Sequence, residues 1–411
     1  MRRVTGLIPT RQAAYAGSAR DVFRTFLRLG LTSFGGPVAH VGYMRDACVV
    51  RRGWVDEARF AQLVALCQFL PGPASSQLGF ALGLLRAGWR GGVAAFVAFT
   101  LPSALAMVAF ALLLPRLSAS PWLPPAVAGL KLLAVAVVAH AVAGMARTLA
   151  PDLPRAAIAI ASAVLVLTAP GGAWLQMAAI ALGAVAGLAL CRMETAPPSA
   201  CQPSPLAGRA APWLLATWLG LLALALALPP VQSPGPASVF ATFYRAGALV
   251  FGGGHVVLPL LHDAVVAPGW VDTGTFLAGY GAAQAVPGPM FTLAAYLGAS
   301  LPGPLPAGVL AMIALVAIFL PGLLLVAAAL PLQARLAGRP AAVRAMAGVN
   351  AAVVGLLGAA LYDPVWREGI RGPTGLGIAA VALVLLASRR VPVPLVVLWC
   401  VGASLATSGA R

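Results

Sequence analysis

Phe23-Arg-Thr-Phe-Leu-Arg-Leu-Gly-Leu-Thr-Ser-Phe-Gly-Gly36 and Phe240-Ala-Thr-Phe-Tyr-Arg-Ala-Gly-Ala-Leu-Val-Phe-Gly-Gly253 are the two stretches on which the reading of this chain turns. Laid one over the other, they share Phe, Thr, Phe, Arg, Gly, Phe, Gly and Gly in register. The match continues downstream. Gly53-Trp-Val-Asp56 pairs with Gly269-Trp-Val-Asp272, and Gln68-Phe-Leu-Pro-Gly-Pro73 with Gln284-Ala-Val-Pro-Gly-Pro289. Two unrelated apolar segments would not repeat this order of Arg, Trp, Asp and Gln, so the chain is an internal duplication.

Composition says where the duplicated unit lives. The chain has 411 residues, of which 61% are hydrophobic and 9% charged, against about 25% charged in a soluble domain. Long uncharged runs recur, among them 91–115, 156–190, 210–244 and 372–388, near the roughly 20 residues that a membrane span needs. The expected fold is an all-α polytopic membrane protein. The Arg-rich first 20 residues lack the apolar core of a cleavable signal peptide. Units are expected at 20–192 and 237–408. A connector at 193–236 begins rich in Pro and Ser and then carries an extra apolar crossing at about 213–228.

The formal charge of +17, from 27 basic and 10 acidic residues, has nucleic-acid binding as its other reading. The basic residues lie mainly between apolar runs, where positive-inside bias places them, and no nucleic-acid partner is expected. The same bias orients the halves. Arg20, Arg45, Arg51, Arg52, Arg59, Arg86 and Arg90 surround the first segments of half one, while His262, Asp263 and Asp272 occupy the matching region of half two. Opposite loop charge in equivalent positions is the pattern of an inverted-topology repeat.

Each unit opens with two interrupted segments, broken at Gly35-Gly36-Pro37 and Pro71-Gly72-Pro73, then at Gly252-Gly253-Gly254 and Pro287-Gly288-Pro289. Proline removes a helix hydrogen bond and clashes with the preceding turn. Non-helical backbone at membrane depth is tolerated only around protein or a water cavity. A helix restarting at such a break presents free N–H groups and the positive end of its dipole, which favour an anion. Ser75, Ser76 and Thr292 add hydroxyls there. The alternative is a kink that serves helix packing. Gly35, Gly36, Gly252 and Gly253 suit either close packing or ligand approach.

Arg28 and Arg245 are equivalent in the repeat and lie inside apolar segments. They either bind an oxyanion through the planar guanidinium fork or snorkel to the interface. Gln68 and Gln284 stand one turn before each Pro-Gly-Pro, to donate to an anion or to satisfy the broken backbone. Asp56 and Asp272 read as helix caps. Lys131 is the one lysine, with its role open. His40, His140, His255 and His262 do not share a metal-ligand spacing, and only His255, beside a break, keeps anion contact or proton coupling open. Cys48, Cys67, Cys191, Cys201 and Cys400 include no C-x-x-C pair, which excludes a zinc motif. No phosphate loop, Ser-x-x-Lys or H-E-x-x-H is present, so enzymatic function has no support.

The pattern F-x-x-F-x-R-x-G-x-x-x-F-G-G, then G-W-V-D, then Q-x-x-P-G-P, present twice, resembles the chromate ion transporter (CHR) family of the long-chain, two-domain type. The resemblance implies chromate export across a bacterial-type inner membrane, with sulfate as a related tetrahedral dianion and no cofactor. The residues alone say small anion, and they leave an anion channel as the alternative to a secondary transporter. Copies of the chain are free to associate in the bilayer, and the sequence does not fix a homo-oligomeric state.

Overall fold

A computed structural model describes residues 17–117, 119–169, 172–191, 210–228, 234–251, 254–303, 305–332, 340–388 and 390–409. These residues form helices and no strand. Gly252, Gly253 and nearly all of the Pro-rich connector lie outside the described residues. Half one runs α1 (Ala19–Thr32), α2 (Gly36–Arg45), α3 (Glu57–Phe69), α4 (Ala74–Arg116), α5 (Leu123–Leu149), α6 (Leu153–Thr168) and α7 (Gly172–Leu190). The single helix α8 (Ala211–Ala227) falls where the extra crossing is expected. Half two runs α9 (Pro236–Leu249), α10 (Val257–Val265), α11 (Thr273–Ala285), α12 (Leu293–Ser300), α13 (Ala307–Ala329), α14 (Pro340–Ala360), α15 (Pro373–Ser388) and α16 (Val393–Gly409).

Local chemistry sets the ends. Ser18 caps α1 by accepting the Asp21 N–H at 3.1 Å. Asp56 caps α3 through the Arg59 N–H at 2.7 Å, and Asp272 caps α11 through the Thr275 N–H at 2.9 Å, as their position after Gly-Trp-Val predicts. The Pro-Gly-Pro tripeptides separate α3 from α4 and α11 from a short 3-10 turn, Met290–Thr292, that leads into α12.

Helix α4, if straight, would be about 65 Å long, twice a hydrocarbon core of about 30 Å. It is not straight. Ala87 and Gly88 leave the helical region, with Gly88 at φ 61°. A Cβ on Gly83 would lie 2.4 Å from the Gly91 carbonyl oxygen, so the leg before the kink folds back along the leg after it. The first leg, like α1, α2 and α3, is shorter than the roughly 20 residues a membrane span needs.

Each long helix carries its half's opening segment at a glycine. Gly30 of α1 sits against the Ala98 and Phe99 carbonyls of α4, and its repeat partner Gly247 of α9 sits against Ile318 of α13. The motif glycine is thus a helix-crossing point, where any Cβ would strike backbone. The rear helices exchange between halves. α5 packs on α15 and α16 of half two, while α14 packs on α6 and α7 of half one. The exchange repeats at single residues. Gly129 meets Cys400 and Val401, and the equivalent Gly348 meets Gly183 and Gly187.

Among the described residues, four helices are long and apolar enough to cross a membrane. Leu105, Ile160, Val185, Val384 and Leu398 are each more than half exposed, the outward apolar belt of a multi-pass membrane protein.

Candidate functional site

The two Pro-Gly-Pro breaks are tied to each other's halves through the backbone. The Gly72 N–H donates to the Val250 carbonyl at 2.7 Å, and the Gly288 N–H donates to the Ser33 carbonyl at 2.9 Å. Ser33 and Val250 are equivalent residues, the caps that end α1 and α9. Both glycines have positive φ, 120° and 107°, which favours glycine. A Cβ on Gly72 would sit 2.9 Å from the Gly322 Cα, and one on Gly288 would sit 2.8 Å from the Ser103 Oγ. Those neighbours are also equivalent. Leu101-Pro102-Ser103 in α4 and Leu320-Pro321-Gly322 in α13 form a further repeated motif. Six segments thus meet at one crossing, related in pairs by the duplication.

This geometry reassigns some donors. The amides of Gly72 and Gly288 are engaged across the halves, and Pro73 has none. The open donors at the first turn of α4 are therefore the N–H groups of Ala74, Ser75 and Ser76 and the Ser76 hydroxyl.

The polar lining comes from half one. Ser33, His40, Ser75, Ser76, Gln77, Thr100 and Ser103 are all buried. Of these, Ser33 Oγ, Ser76 Oγ, Thr100 Oγ1 and Gln77 Oε1 have no hydrogen-bond partner. A buried polar atom left unpaired costs about 1–3 kcal/mol, so their gathering around one crossing calls for an explanation. The Gln77 amide nitrogen faces the Pro71 carbonyl at 2.9 Å and the Gly322 carbonyl at 3.1 Å, which fixes its orientation. Ser103 Oγ donates to the Thr100 carbonyl at 3.0 Å. His40, on the second turn of α2, reaches the Ser33 carbonyl at 3.2 Å with Nε2 and the Ser75 Oγ at 3.5 Å with Nδ1. Its ring stands edge-on to Phe99, with centroids 5.3 Å apart. The early turns of α2 and α4 therefore meet at His40 and Ser75, next in sequence to the unpaired Ser76 hydroxyl. Each adds about half a positive charge from its dipole, and the hydroxyls can donate to an anion's oxygens.

The remaining candidates are placed as follows. Pro71 is half-buried and Pro73 buried. Gly35 and Gly36 have φ 99° and 77°, and a Cβ on Gly36 would meet open space. Thr292 is buried with its hydroxyl on the Pro289 carbonyl at 2.9 Å. Pro287 is half-buried, and Pro289 caps the 3-10 turn. Gln284 donates to the Met290 sulfur at 2.7 Å, whereas Gln68 is exposed. Arg28 and Arg245 occupy different surroundings. Arg28 is exposed on α1 and lines a cleft of about 320 Å³ with Tyr43, Asp46, Arg51 and Arg52. Arg245 is half-buried and reaches Thr242 Oγ1 at 3.3 Å. Among the described residues, no hydrogen bond joins either arginine to the Pro-Gly-Pro crossing. Asp46 pairs with Arg51 at 2.7 Å and Asp21 with Arg52 at 2.8 Å.

Sequence reasoning passed over Ser33, His40, Gln77, Thr100 and Ser103. A signal was available in the residues that differ between the aligned halves, since each of these polar residues faces an apolar one or glycine in half two.

Comparison with known proteins agrees with the duplication. The pattern of the Chromate transporter family matches residues 20–188 and again 237–405. A chromate transport protein of Pseudomonas aeruginosa is 32% identical over 89% of this chain and 86% of its own length. One from Cupriavidus metallidurans is 30% identical over 92% of this chain and 90% of its own. No solved structure matches. These relatives are named for transport, not for catalysis. The chain belongs to the chromate transporter family, with the family's domain present twice in one multi-pass membrane polypeptide.

Proposed function

We propose that this protein is a secondary transporter that exports chromate across a bacterial-type inner membrane, with sulfate as a competing tetrahedral dianion. The observation that carries this reading is the set of unpaired, buried hydroxyls of Ser33, Ser76 and Thr100 beside the starts of α2 and α4. Donors without acceptors are the complement of an oxyanion, which brings acceptors only. The kinship supplies the identity of the anion, and the site supplies its charge and hydrogen-bonding character.

The units proposed are residues 20–192 and 237–408, joined by a connector at 193–236 whose crossing α8 inverts the second unit. Loop charge supports that inversion and orients the cleft. Positive-inside bias puts the Arg-rich loops of half one in the cytoplasm. The cleft of Arg28, Arg51 and Arg52 then opens toward the cytoplasm and concentrates anions before they reach the crossing. Substrate enters there, loses water against the serine and threonine hydroxyls, and leaves when the halves rock about the paired Gly72–Val250 and Gly288–Ser33 contacts.

The test is radiolabelled chromate uptake into inverted vesicles with and without an imposed ion gradient, and with sulfate as competitor. Accumulation above the external concentration, reduced by sulfate, is the expected result. Equilibration without accumulation under any gradient would identify a channel. Absence of chromate flux would remove the reading.

A further inference from the structure

We infer that His40 is a proton-linked positioning residue, whose protonation at Nδ1 turns the Ser75 hydroxyl toward the bound oxyanion. The inference rests on the reading of the crossing as an anion site and deepens it.

The tautomer follows from the partners. Nε2 lies 3.2 Å from the Ser33 carbonyl oxygen. A carbonyl only accepts, so Nε2 carries a hydrogen in every protonation state of the ring. The proton that comes and goes is therefore the one on Nδ1, which faces Ser75 Oγ at 3.5 Å. In the neutral ring Nδ1 is an acceptor, and the Ser75 hydroxyl hydrogen points at it. In the protonated ring Nδ1–H is a donor and Ser75 Oγ becomes the acceptor. The hydroxyl hydrogen is then released to turn elsewhere. The first turn of α4, where the Ser76 hydroxyl is already without a partner, is the place that receives it.

Charge works in the same direction. His40 is buried, and its neighbours are the Ser33 carbonyl, the Ser75 hydroxyl and the Phe99 ring. Among the described residues packed on it from α1 and α4, none brings a carboxylate, lysine or arginine into contact with the imidazole. A positive charge there has no resident counter-ion. An arriving dianion supplies one, so anion binding and proton binding favour each other. The second half has no such device, because the equivalent of His40 is Val257 and that of Ser75 is Phe291. His255, beside the break of half two, instead faces the Tyr280 hydroxyl at 2.8 Å.

The experiment uses the purified full-length protein and chromate itself. Binding is measured by calorimetry in buffers of different ionisation enthalpy across pH 6 to 8, for wild type and His40→Gln. Glutamine keeps a donor for the Ser33 carbonyl and cannot titrate. Chromate's own protonation affects both proteins alike, so the difference between them reads His40. The expected result is that the wild type takes up more protons per anion than His40→Gln and gains several-fold more affinity as pH falls. Equal proton uptake and parallel pH profiles would overturn the inference while leaving the anion site intact. No chromate binding by the wild type at any pH would instead remove the underlying site. Ser75→Ala, which leaves His40 on the Ser33 carbonyl, is the second variant should His40→Gln not insert. It should weaken binding and flatten the pH profile, and an unchanged profile would count against the relay.

Discussion

At its break the first half presents Ser33, His40, Ser75, Ser76, Gln77, Thr100 and Ser103, and at the equivalent positions the second half presents Val250, Val257, Phe291, Thr292, Leu293, Phe319 and Gly322. The backbone of the two breaks is nevertheless the same. Each has a positive-φ glycine donating to the other half's helix cap, and each is pressed against a Leu-Pro motif. The halves share a paired scaffold, and the unpaired hydroxyls of Ser33, Ser76 and Thr100 all lie on one side of it. The apolar side is the more deeply packed. In α9 the run Ala241–Tyr244 is buried and α8 lies against it, whereas Arg24, Arg28 and Leu31 of α1 are exposed. In the proposed function half two is the clamp and half one the contact surface for the anion.

The largest way to break this comparison is at the glycines the halves share. Gly72→Leu and Gly288→Leu should each abolish transport, because both need positive φ and both touch the opposite half. The two should differ in folded yield. The neighbour at Gly72 is the Gly322 backbone, while that at Gly288 is the rotatable Ser103 hydroxyl, so Gly72→Leu should lose more correctly sized protein in detergent chromatography. Equal yields with normal flux from either variant would mean the crossing is not the pathway.

A smaller effect is expected at the cleft. Arg28 is exposed, so Arg28→Ala should raise half-saturating chromate only a few-fold, and more at low ionic strength, where surface charges are less screened. Cysteines placed at Arg51 and Asp263 sharpen the same point. They should be labelled from opposite faces of the membrane, and labelling of both from one face would contradict the inversion on which the direction of transport rests.

Much of this was legible in the sequence. The duplication, the broken segments, the aspartate caps and the helix α8 rest on short-range rules, namely proline chemistry, capping and apolar run length. The kink at Ala87–Gly88 and the exchange of α5 and α14 between halves were not legible, because they depend on which glycine meets which helix. The site was legible in outline only. Positions that the two halves share, such as Gly30 and Gly247, hold helices together, and the unpaired hydroxyls of Ser33 and Thr100 lie where the halves differ. The ties of the Gly72 and Gly288 amides to Val250 and Ser33 were not legible, because each joins residues far apart in the chain. Arg28 and Arg245 share a motif position but not an environment, since what covers α9 has no described counterpart over α1.

The most direct test of the asymmetry compares one equivalent pair, Ser76→Ala and Thr292→Ala, by chromate binding to the purified full-length protein. The Ser76 hydroxyl is buried without a partner, whereas the Thr292 hydroxyl is already satisfied by the Pro289 carbonyl. Losing a hydrogen bond to a charged ligand costs about 1.5–3 kcal/mol, so Ser76→Ala should weaken binding about ten- to a hundredfold with no loss of thermal stability. Thr292→Ala should leave affinity nearly unchanged. Equal weakening by both variants, or by Thr292→Ala alone, would contradict an anion site built from the first half.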